Sequence, residues 1–396
     1  MNSNKKKIGL FLGTTHDMGG THQYVQTLLT ALADLPKSTY ETTAVYKSDE
    51  WTRLTRELGV RAVQIPSFGS FTPVARLWRL FRLPVKMWRT ACLHLHPLTR
   101  LMLQEKCDLW IYPGQDMWSY MLPFPSLGTI HDLMHRYERR FPEASARGRY
   151  HLREWDCKNM CRWTRGILVD SETGRRHVVE SYGHDPSKIH VLPYIAPPYL
   201  FQRSDLQAIS ARYDLPSKFI FYPAKFWAHK NHQNLVLAMA QLKERLPDLR
   251  FVFTGIKAWH YPVIHQLIQK LGLGDRILIL DYVPDSDMPA LYVKARALIM
   301  PTYFGPTNIP PLEAFAAGCP VAISNFYGMP EQVGDAALLF HPDSVNEIAQ
   351  CILRLWTDDQ LCQELIRRGR QKTADWNMSA FSKAFQDILL KVVDGR

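Results

Sequence analysis

Short apolar runs alternate with longer amphipathic segments along most of the chain. The run KIGLFLG at residues 7–13 is typical of a buried strand, and residues 19–36 then place Tyr24, Leu28 and Leu32 on one helical face. The further apolar runs of this half lie at residues 41–47, 107–114, 128–133, 166–171 and 188–194. Strands that alternate with helices in this way predict a parallel sheet covered by helices on both faces.

Residues 192–205, LPYIAPPYLFQRSD, interrupt this alternation with three prolines and are interpreted as an interdomain linker. The alternation restarts at KFIFYPAK, residues 218–225. The sequence therefore predicts an α/β chain with two doubly wound, Rossmann-like domains, at residues 1–195 and 196–375. Ligand sites are expected at the carboxyl ends of the strands.

The composition fits a folded protein and adds a charge asymmetry. Of the 396 residues, 46% are hydrophobic and 21% charged, and the net charge is +11. Lys and Arg exceed Asp and Glu by 9 in residues 1–200 and by 2 in residues 201–396. The basic N-terminal half could face an anionic membrane or an acidic substrate. No nucleic-acid partner is predicted, because no recognition module accompanies the charge.

Cysteine usage and the N-terminus bear on the cellular compartment. The seven cysteines are scattered and odd in number, which favours a reducing cytoplasm over a disulfide framework. Cys157 and Cys161 lack the close spacing of a zinc site, so no metal site is predicted at this pair. The apolar run at residues 8–12 is too short for a signal peptide, and no uncharged stretch of about 18 apolar residues predicts a membrane span.

Two lysines flank a strand-to-helix turn in the second half, within FYPAKFWAHKNH at residues 221–232. Lys225 follows the strand directly, and Lys230 precedes a helix that is predicted to begin near Asn231. A helix N-terminus offers unpaired N–H groups and partial positive charge, so this turn could bind a diphosphate. The alternative is two solvated loop lysines.

A second candidate stretch is YFGPTNIPPLEAFAAGCPV, residues 303–321. A helix is predicted from about Pro310, with Thr307 or Asn308 as its N-cap and Gly318 as its left-handed end. Glu313 then falls in the first helical turn. It either complements the helix dipole or accepts hydrogen bonds from the two hydroxyls of a ribose.

The first half offers weaker candidates. Gly19 and Gly20 lie between a strand and a helix, where glycine permits close approach of a ligand to the backbone. The stretch is not the dinucleotide fingerprint G-x-G-x-x-G, which disfavours a nicotinamide enzyme. His131 and Asp132 come at the end of a strand, where a histidine can be structural or catalytic.

Together these motifs resemble the retaining glycosyltransferases of family four, the "glycosyl transferases group 1", which have the GT-B fold. The likeness is carried by YPAKFWAHKNH, by residues 271–340, and by MGGTHQYV, TIHDL and residues 169–193. It covers most of the chain outside residues 40–110. The resemblance implies two Rossmann-like domains facing each other across a cleft, and a C-terminal helix at residues 376–396 that crosses back to the N-terminal domain.

The resemblance also implies residue roles and a donor substrate. The donor would be a nucleotide sugar, handled without a cofactor and without a metal because two lysines neutralise its diphosphate. The implied catalytic residues are His131, Lys225, Lys230 and Glu313. The implied donor-binding residues are Gly19, Gly20, Tyr282, Val283, Gly305, Thr307, Asn308, Ile309 and Glu313.

The chain departs from the family at one position that matters. The family commonly has two glutamates eight positions apart, and here the first position is Gly305, followed by Pro306. Thr307 and Asn308 are expected to take over sugar and phosphate contacts. The stretch GPTN resembles a subgroup with bacterial polysaccharide mannosyl- and rhamnosyltransferases. Mannose from GDP-mannose, used in surface polysaccharide synthesis, is therefore the first expectation; a catalytically silent nucleotide-sugar-binding partner subunit is the alternative.

Residues 71–106 carry seven Lys or Arg and one acid. Trp, Phe and Arg at helical spacing are typical of a helix lying in a membrane surface, which suits a lipid-linked acceptor at the inner face of the cell membrane. The alternatives are an ordinary helix with a basic face and a soluble acceptor. The predicted membrane contacts are Arg76, Trp78, Arg79, Phe81, Arg82 and Trp88.

Overall fold

The chain divides into two compact units in a computed structural model that describes residues 5–65, 71–202 and 204–394. The first unit comprises residues 1–193 and 378–396, and the second comprises residues 194–377. Residues 1–4 of the predicted first domain, 203 of the predicted linker and 395–396 of the predicted terminal helix lie outside the described residues.

The first unit is built on a parallel sheet in the order β3-β2-β1-β4-β5-β6-β7. Its strands are β1 Lys6–Leu12, β2 Tyr40–Tyr46, β3 Arg61–Gln64, β4 Leu109–Tyr112, β5 Ser126–Thr129, β6 Gly166–Val169 and β7 Ile189–Val191. Its first ten helices are α1 Gly20–Ala33, α2 Glu50–Glu57, α3 Phe71–Leu80, α4 Val85–Leu95, α5 Pro97–Glu105, α6 Trp118–Met121, α7 Met134–Tyr137, α8 Pro142–Ser145, α9 Arg149–Trp163 and α10 Glu172–Tyr182.

The second unit is built on a parallel sheet in the order β10-β9-β8-β11-β12-β13. Its strands are β8 Ile220–Pro223, β9 Phe251–Thr254, β10 Ile277–Leu280, β11 Ala297–Met300, β12 Val321–Ser324 and β13 Ala337–Phe340. Its helices are α11 Leu206–Arg212, α12 His232–Leu242, α13 Tyr261–Lys270, α14 Met288–Lys294, α15 Ile309–Ala317, α16 Met329–Val333, α17 Val345–Thr357 and α18 Asp359–Asp375. Short 3₁₀ helices lie at His16–Met18, Pro186–Lys188, Pro198–Phe201 and Ala228–Lys230.

The C-terminal helix α19, Met378–Asp394, packs in the first unit rather than the second. Its Phe381 ring lies 6.4 Å from the Tyr24 ring of α1. Ser382 Oγ donates a hydrogen bond of 2.9 Å to Asp34, which follows α1. The chain therefore returns to its first sheet after completing the second.

The burial of the strands explains why the sequence predicted this fold. All four residues of β4, β6, β11 and β12 are buried, because helices cover both faces of a parallel sheet. In each sheet the strand order reverses once, between β1 and β4 and between β8 and β11. Loops after the strands at a reversal point diverge and leave a crevice, the usual ligand site of such sheets. The predicted fold of two parallel, doubly wound α/β domains is confirmed.

The structure also bears on membrane crossing. Within residues 5–65, 71–202 and 204–394, no helix combines the length and the apolar character that crossing a bilayer requires.

Candidate active site

Lys225 and Lys230 both lie in the loop that leaves β8 at the reversal point of the second sheet. The ammonium of Lys225 lies 5.9 Å from the centre of the Trp227 ring, within the range of a cation–π contact. Lys230 ends the 3₁₀ helix Ala228–Lys230, and Tyr222 fixes its backbone by a 2.8 Å hydrogen bond to the carbonyl oxygen. Both lysines are half-buried.

Asn231 holds three loops together at this end of the sheet. Its side-chain Nδ2 donates to the carbonyl oxygens of Pro301 at 3.0 Å and Pro342 at 2.8 Å. Its φ of 58° is left-handed, a conformation that asparagine tolerates better than most residues. From the sequence, Asn231 is predicted only as the start of a helix. Its position between a lysine and a helix is the one sequence feature that could have indicated this bridging role.

The loop after β11 lies against the lysine loop. The backbone N–H of Tyr303 donates to His229 O at 2.8 Å, and Thr302 Oγ1 donates to the same oxygen at 3.2 Å. His229 immediately precedes Lys230. The two candidate stretches of the second half, residues 225–230 and 303–309, therefore lie next to each other in the structure.

The start of α15 differs in part from the prediction. The helix begins at Ile309, so Glu313 lies in its second turn and not its first. Asn308 is the N-cap residue, but its side chain makes no capping hydrogen bond. Pro310 and Pro311 occupy the second and third helical positions and have no N–H group. This helix terminus therefore offers fewer backbone donors to a phosphate than the sequence interpretation assumed.

Glu313 lies inside the second unit, with 4% of its surface exposed. The hydroxyl of Tyr292 donates to Oε2 at 2.5 Å, and the hydroxyl of Tyr199 donates to Oε1. Gly318 ends the helix in a left-handed conformation, as predicted. A ribose hydroxyl would have to share the carboxyl of Glu313 with Tyr199 and Tyr292 or displace one of them. The ribose role stays a prediction, and neither tyrosine could be assigned to Glu313 from sequence spacing.

The buried carboxyl of Glu313 should make the second unit less stable at alkaline pH. Burial raises its pKa to about 7, although the hydrogen bonds from Tyr199 and Tyr292 act in the opposite direction. Because the folded pKa exceeds the unfolded value of about 4.3, this contribution is complete below about pH 4 and is lost as the pH rises through 7. The loss is on the order of 3 kcal/mol by pH 8.

Melting curves between pH 5 and pH 8 test this expectation. Glu313→Gln should have a shallower fall in melting temperature than the wild type. Asp116→Asn removes a carboxyl of the first unit whose pKa burial also raises to about 7, so it should flatten the pH dependence of the first unit and leave that of the second unit unchanged. Parallel curves for the wild type and Glu313→Gln would contradict the raised pKa of Glu313.

Tyr282 and Val283, which were predicted to flank the base, follow β10 and have opposite environments. Tyr282 is 60% exposed, whereas Val283 belongs to the hydrophobic core of the second unit. A base could therefore stack on Tyr282 but would not reach Val283 without movement of the core. The contact predicted for Val283 is at odds with this burial.

In the first unit, Gly19 and His131 lie near the same helix. Gly19 is the N-cap of α1, which begins at Gly20, and its φ of 60° with ψ of −124° favours glycine. The His131 ring lies 5.3 Å from that of Tyr24 in α1. Burial lowers the pKa of His131, and its Nε2 lies 2.8 Å from Pro113 O. A neutral imidazole is the expected form, and its catalytic role stays a prediction.

Three side chains at this end of the first unit could hold a metal ion. The ligand atoms of His16, His22 and Glu50 lie within 4.8 Å of one another. Two nitrogen atoms bound to one zinc ion at about 2.0–2.1 Å must lie less than about 4.2 Å apart. The 4.8 Å limit therefore neither requires nor excludes that these three side chains are close enough for a closed zinc site. The prediction that the chain needs no metal stays a prediction.

The orientation of α3 corrects the predicted membrane contacts. Ala75 is buried and Trp78 and Arg79 are half-buried, so these positions form the inward face of the helix. Arg79 pairs with the buried Asp156 at 2.6 Å. Trp88 of α4 is only 5% exposed and belongs to the core. The prediction of Trp88 as a surface contact is wrong, and Trp78 and Arg79 are turned toward the protein.

The outward face of α3 carries the apolar side chains instead. It consists of Val74, Leu77 and Leu80, together with Phe81, the residue directly after the helix. We refer to these four residues as the α3 face. Phe81 is 69% exposed. Arg76 and Arg82 are exposed beside it, as predicted.

Two protein-family models match the two halves of the chain. A family model described as "Glycosyl transferases group 1" matches residues 202–372, and one described as "Glycosyltransferase Family 4" matches residues 18–194. The chain is 26% identical to "O-antigen chain mannosyltransferase B" of Escherichia coli over 280 residues, which are 69% of this chain and 72% of that protein.

Solved structures share the fold at low identity. Sucrose-phosphate synthase from Thermosynechococcus elongatus has a TM-score of 0.75 at 18% identity, over 99% of this chain and 100% of that one. Anabaena Alr3699/HepE, in complex with UDP and glucose, has a TM-score of 0.73 at 17% identity, over 98% of this chain and 100% of that one. At these identities the likeness shows the fold alone, two parallel-sheet α/β domains of the GT-B kind.

Proposed function

Because the chain belongs to the glycosyltransferases of family four, we propose that it moves a hexose or deoxyhexose from a nucleotide sugar to a glycan or lipid-linked saccharide. One observation supports the position of the donor. Two lysines and the loop 303–309 meet at the reversal point of the second sheet, tied together through His229 and Asn231. Two half-buried ammonium groups at such a crevice suit a diphosphate.

The chemistry follows from where charge develops during transfer. The bond between the anomeric carbon and the β-phosphate oxygen breaks, and the oxygen leaves with the bonding electrons. Lys225 and Lys230 stabilise the negative charge that grows on the diphosphate. The acceptor hydroxyl attacks the anomeric carbon from the same face and passes its proton to the departing phosphate oxygen, and attack from that face means that the product keeps the configuration of the donor. His131 contacts the donor sugar in this proposal, and no metal is required.

Mannose from GDP-mannose is the proposed donor, on the strength of the mannosyltransferase relative. A thermal-shift screen of GDP, UDP, ADP and dTDP sugars identifies the nucleotide, and release of the diphosphate with added glycan or lipid acceptors measures transfer. The proposal expects stabilisation by GDP-mannose, turnover, and a product with the anomeric configuration of the donor. A product of inverted configuration would contradict the retaining mechanism.

A catalytically silent binding subunit is the second candidate, favoured by one observation. Gly305 provides no carboxylate at the position where the family commonly has its first glutamate. A protein that binds a nucleotide sugar tightly but turns over no donor with any acceptor would support this candidate.

We further propose that the α3 face, Val74, Leu77, Leu80 and Phe81, lies in an anionic membrane surface. These apolar side chains are exposed, and Arg76, Arg82 and Lys86 beside them can contact lipid phosphates. The enzyme would then act at the inner face of the cell membrane on a lipid-linked acceptor.

Liposome flotation tests the membrane surface. The variant Arg76→Glu/Arg82→Glu should bind vesicles containing anionic lipid at least about 30-fold more weakly than the wild type, since each basic residue near the surface contributes about 1 kcal/mol. Arg79 is left unchanged because its loss would leave the buried Asp156 unpaired. Arg53→Glu/Arg176→Glu is the control with the same charge change at two other exposed positions. Equal flotation of both variants and the wild type would favour a soluble acceptor.

A further inference from the structure

A surface pocket of the first unit lies between the end of α3 and the helix α9. Its volume is about 400 Å³, and we refer to it as the α3–α9 pocket. Arg82 lines it from the α3 side, and His151, Trp155, Lys158 and Arg162 line it from α9. The four α9 residues recur at spacings of four, three and four, so they share one face of the helix.

The way in which α3 ends places Arg82 at this pocket. The N–H of Arg82 donates to Arg79 O at 3.0 Å, and the N–H of Leu83 donates to Trp78 O at 3.0 Å, which are the two hydrogen bonds of a Schellman motif. Glycine usually occupies the left-handed position of this motif, but here Arg82 does, with a φ of 52°. Because Arg79 also pairs with Asp156 of α9 at 2.6 Å, the end of α3 is fixed against α9.

The positive charge of the pocket is not compensated by its own acid. Glu154 also lines the pocket, but its carboxylate accepts a 2.8 Å hydrogen bond from Arg136. Arg82, Lys158 and Arg162 are exposed, and within the part of the chain that the structure describes none of them forms an ion pair with a carboxylate. Three such cations around one cavity suit a diphosphate, which carries more than one negative charge and accepts several charge-assisted hydrogen bonds.

Two neighbouring features indicate that this anion belongs to a lipid. Arg82 follows Phe81 directly in the sequence, so the pocket adjoins the exposed apolar side chains of the α3 face. Trp155 is half-buried in the pocket wall, and tryptophan is enriched where a protein meets the polar region of a membrane. Cations next to exposed apolar side chains match a lipid, in which an anionic group is attached to a hydrocarbon chain.

The helix α9 also connects the pocket to the loop of His131. Arg153, two residues after His151, pairs with Asp132 at 2.5 Å, and Asp132 directly follows His131. The first turns of α9 therefore lie beside that loop. Lys158 is seven residues beyond His151, or about 10 Å along the helix axis. A saccharide attached to a diphosphate at Lys158 can thus extend along α9 toward the loop of His131.

We propose that the α3–α9 pocket binds the diphosphate of the lipid that carries the acceptor saccharide. Arg82, Lys158 and Arg162 donate hydrogen bonds to its oxygens, and the hydrocarbon chain lies in the membrane beside the α3 face. This inference rests on the proposed function and deepens it, because it names the class of acceptor as a saccharide linked to a lipid through a diphosphate.

Binding to vesicles of defined composition tests the proposal. The probes are phosphatidylcholine vesicles that contain either geranylgeranyl diphosphate or phosphatidylglycerol, in amounts that give equal surface charge. The wild type should bind the diphosphate vesicles about tenfold or more tightly than the phosphatidylglycerol vesicles, and Lys158→Gln/Arg162→Gln should lose this preference. Arg53→Gln/Arg176→Gln, with the same charge change at two exposed positions elsewhere in the first unit, should keep it. Lys230→Ala should also keep it, because Lys230 belongs to the other unit.

Arg82→Gly separates ligand binding from a structural role of Arg82. Glycine suits the left-handed conformation at this position, so the melting temperature of the free protein should not fall. The preference for the diphosphate vesicles should nevertheless fall about tenfold. An unchanged preference in both Arg82→Gly and Lys158→Gln/Arg162→Gln would overturn the proposal.

The remaining outcomes separate this inference from a general basic surface and from the proposed function. Equal binding of the two kinds of vesicle by the wild type would overturn the pocket. Release of the wild type from the diphosphate vesicles by inorganic diphosphate, at the same concentration as the lipid, would assign the pocket to a soluble anion and also overturn the proposal. If the wild type shows the expected preference but binds no nucleotide sugar, the lipid diphosphate site is supported and the proposed function fails.

Discussion

Replacing Lys230 by alanine is expected to slow sugar transfer by about 30- to 1,000-fold, equivalent to about 2–4 kcal/mol in the barrier. The ammonium group would face a diphosphate whose negative charge grows as the glycosidic bond breaks, so its loss should lower kcat more than it raises KM. The backbone of Lys230 is fixed by Tyr222 and by its neighbour Asn231, which places the side chain without a search over loop conformations.

Two variants control for the Lys230 measurement. Lys230→Arg keeps the charge and should retain more activity than Lys230→Ala. Lys270→Ala removes the same charge from an exposed position at the end of α13 and should leave the initial rate unchanged. Near-normal transfer by Lys230→Ala would remove this lysine from the mechanism.

At pH 8, where the carboxyl of Glu313 is mostly ionised, replacing Glu313 by alanine is expected to weaken nucleoside diphosphate binding by about 1.5–3 kcal/mol, the usual value of a hydrogen bond to a charged group. The reason is the proposed pair of hydrogen bonds from the ribose hydroxyls to its carboxylate. Inorganic pyrophosphate has no ribose, so its affinity should not change. Calorimetry with the two ligands separates the ribose contact from a general disruption of the site.

Tyr199→Phe gives the sharper test of the same role. Tyr199 donates to Glu313 in this structure and would compete with a ribose hydroxyl for the same carboxylate oxygen. Removal of the Tyr199 hydroxyl should therefore strengthen nucleotide binding while lowering the melting temperature of the free protein. Unchanged nucleotide affinity with the same loss of stability would mean that the tyrosines and Glu313 form a structural cluster only.

Much of the fold was predictable because parallel strands buried on both faces leave uninterrupted apolar runs, as in β6 and β11. The short strand β3 was not predicted, since its residues Arg61 to Gln64 are partly exposed and lack such a run. Which face of α3 points inward was also not predicted correctly from the sequence. The spacing of its Trp, Phe and Arg residues predicted a membrane-surface helix with Trp78 and Arg79 among the contacts, but both are turned inward, where Arg79 pairs with the buried Asp156 of α9.

The candidate site was predictable only as separate stretches. Lysines beside a strand end and a carboxylate near a helix start are visible in the sequence, and the resemblance joined them. The partners of these residues lie far away along the chain: Tyr199 and Tyr292 for Glu313, and Gln332 for Asn308. Such pairs depend on tertiary packing, which no local pattern encodes.

A crystal structure of the protein with the nucleoside diphosphate of its donor shows directly whether Lys225 and Lys230 bind that diphosphate. We expect a diphosphate at the end of β8 and β11, with an oxygen within about 3 Å of Lys230 Nζ. A diphosphate bound in full occupancy elsewhere, with Lys230 turned away from it, would exclude this role.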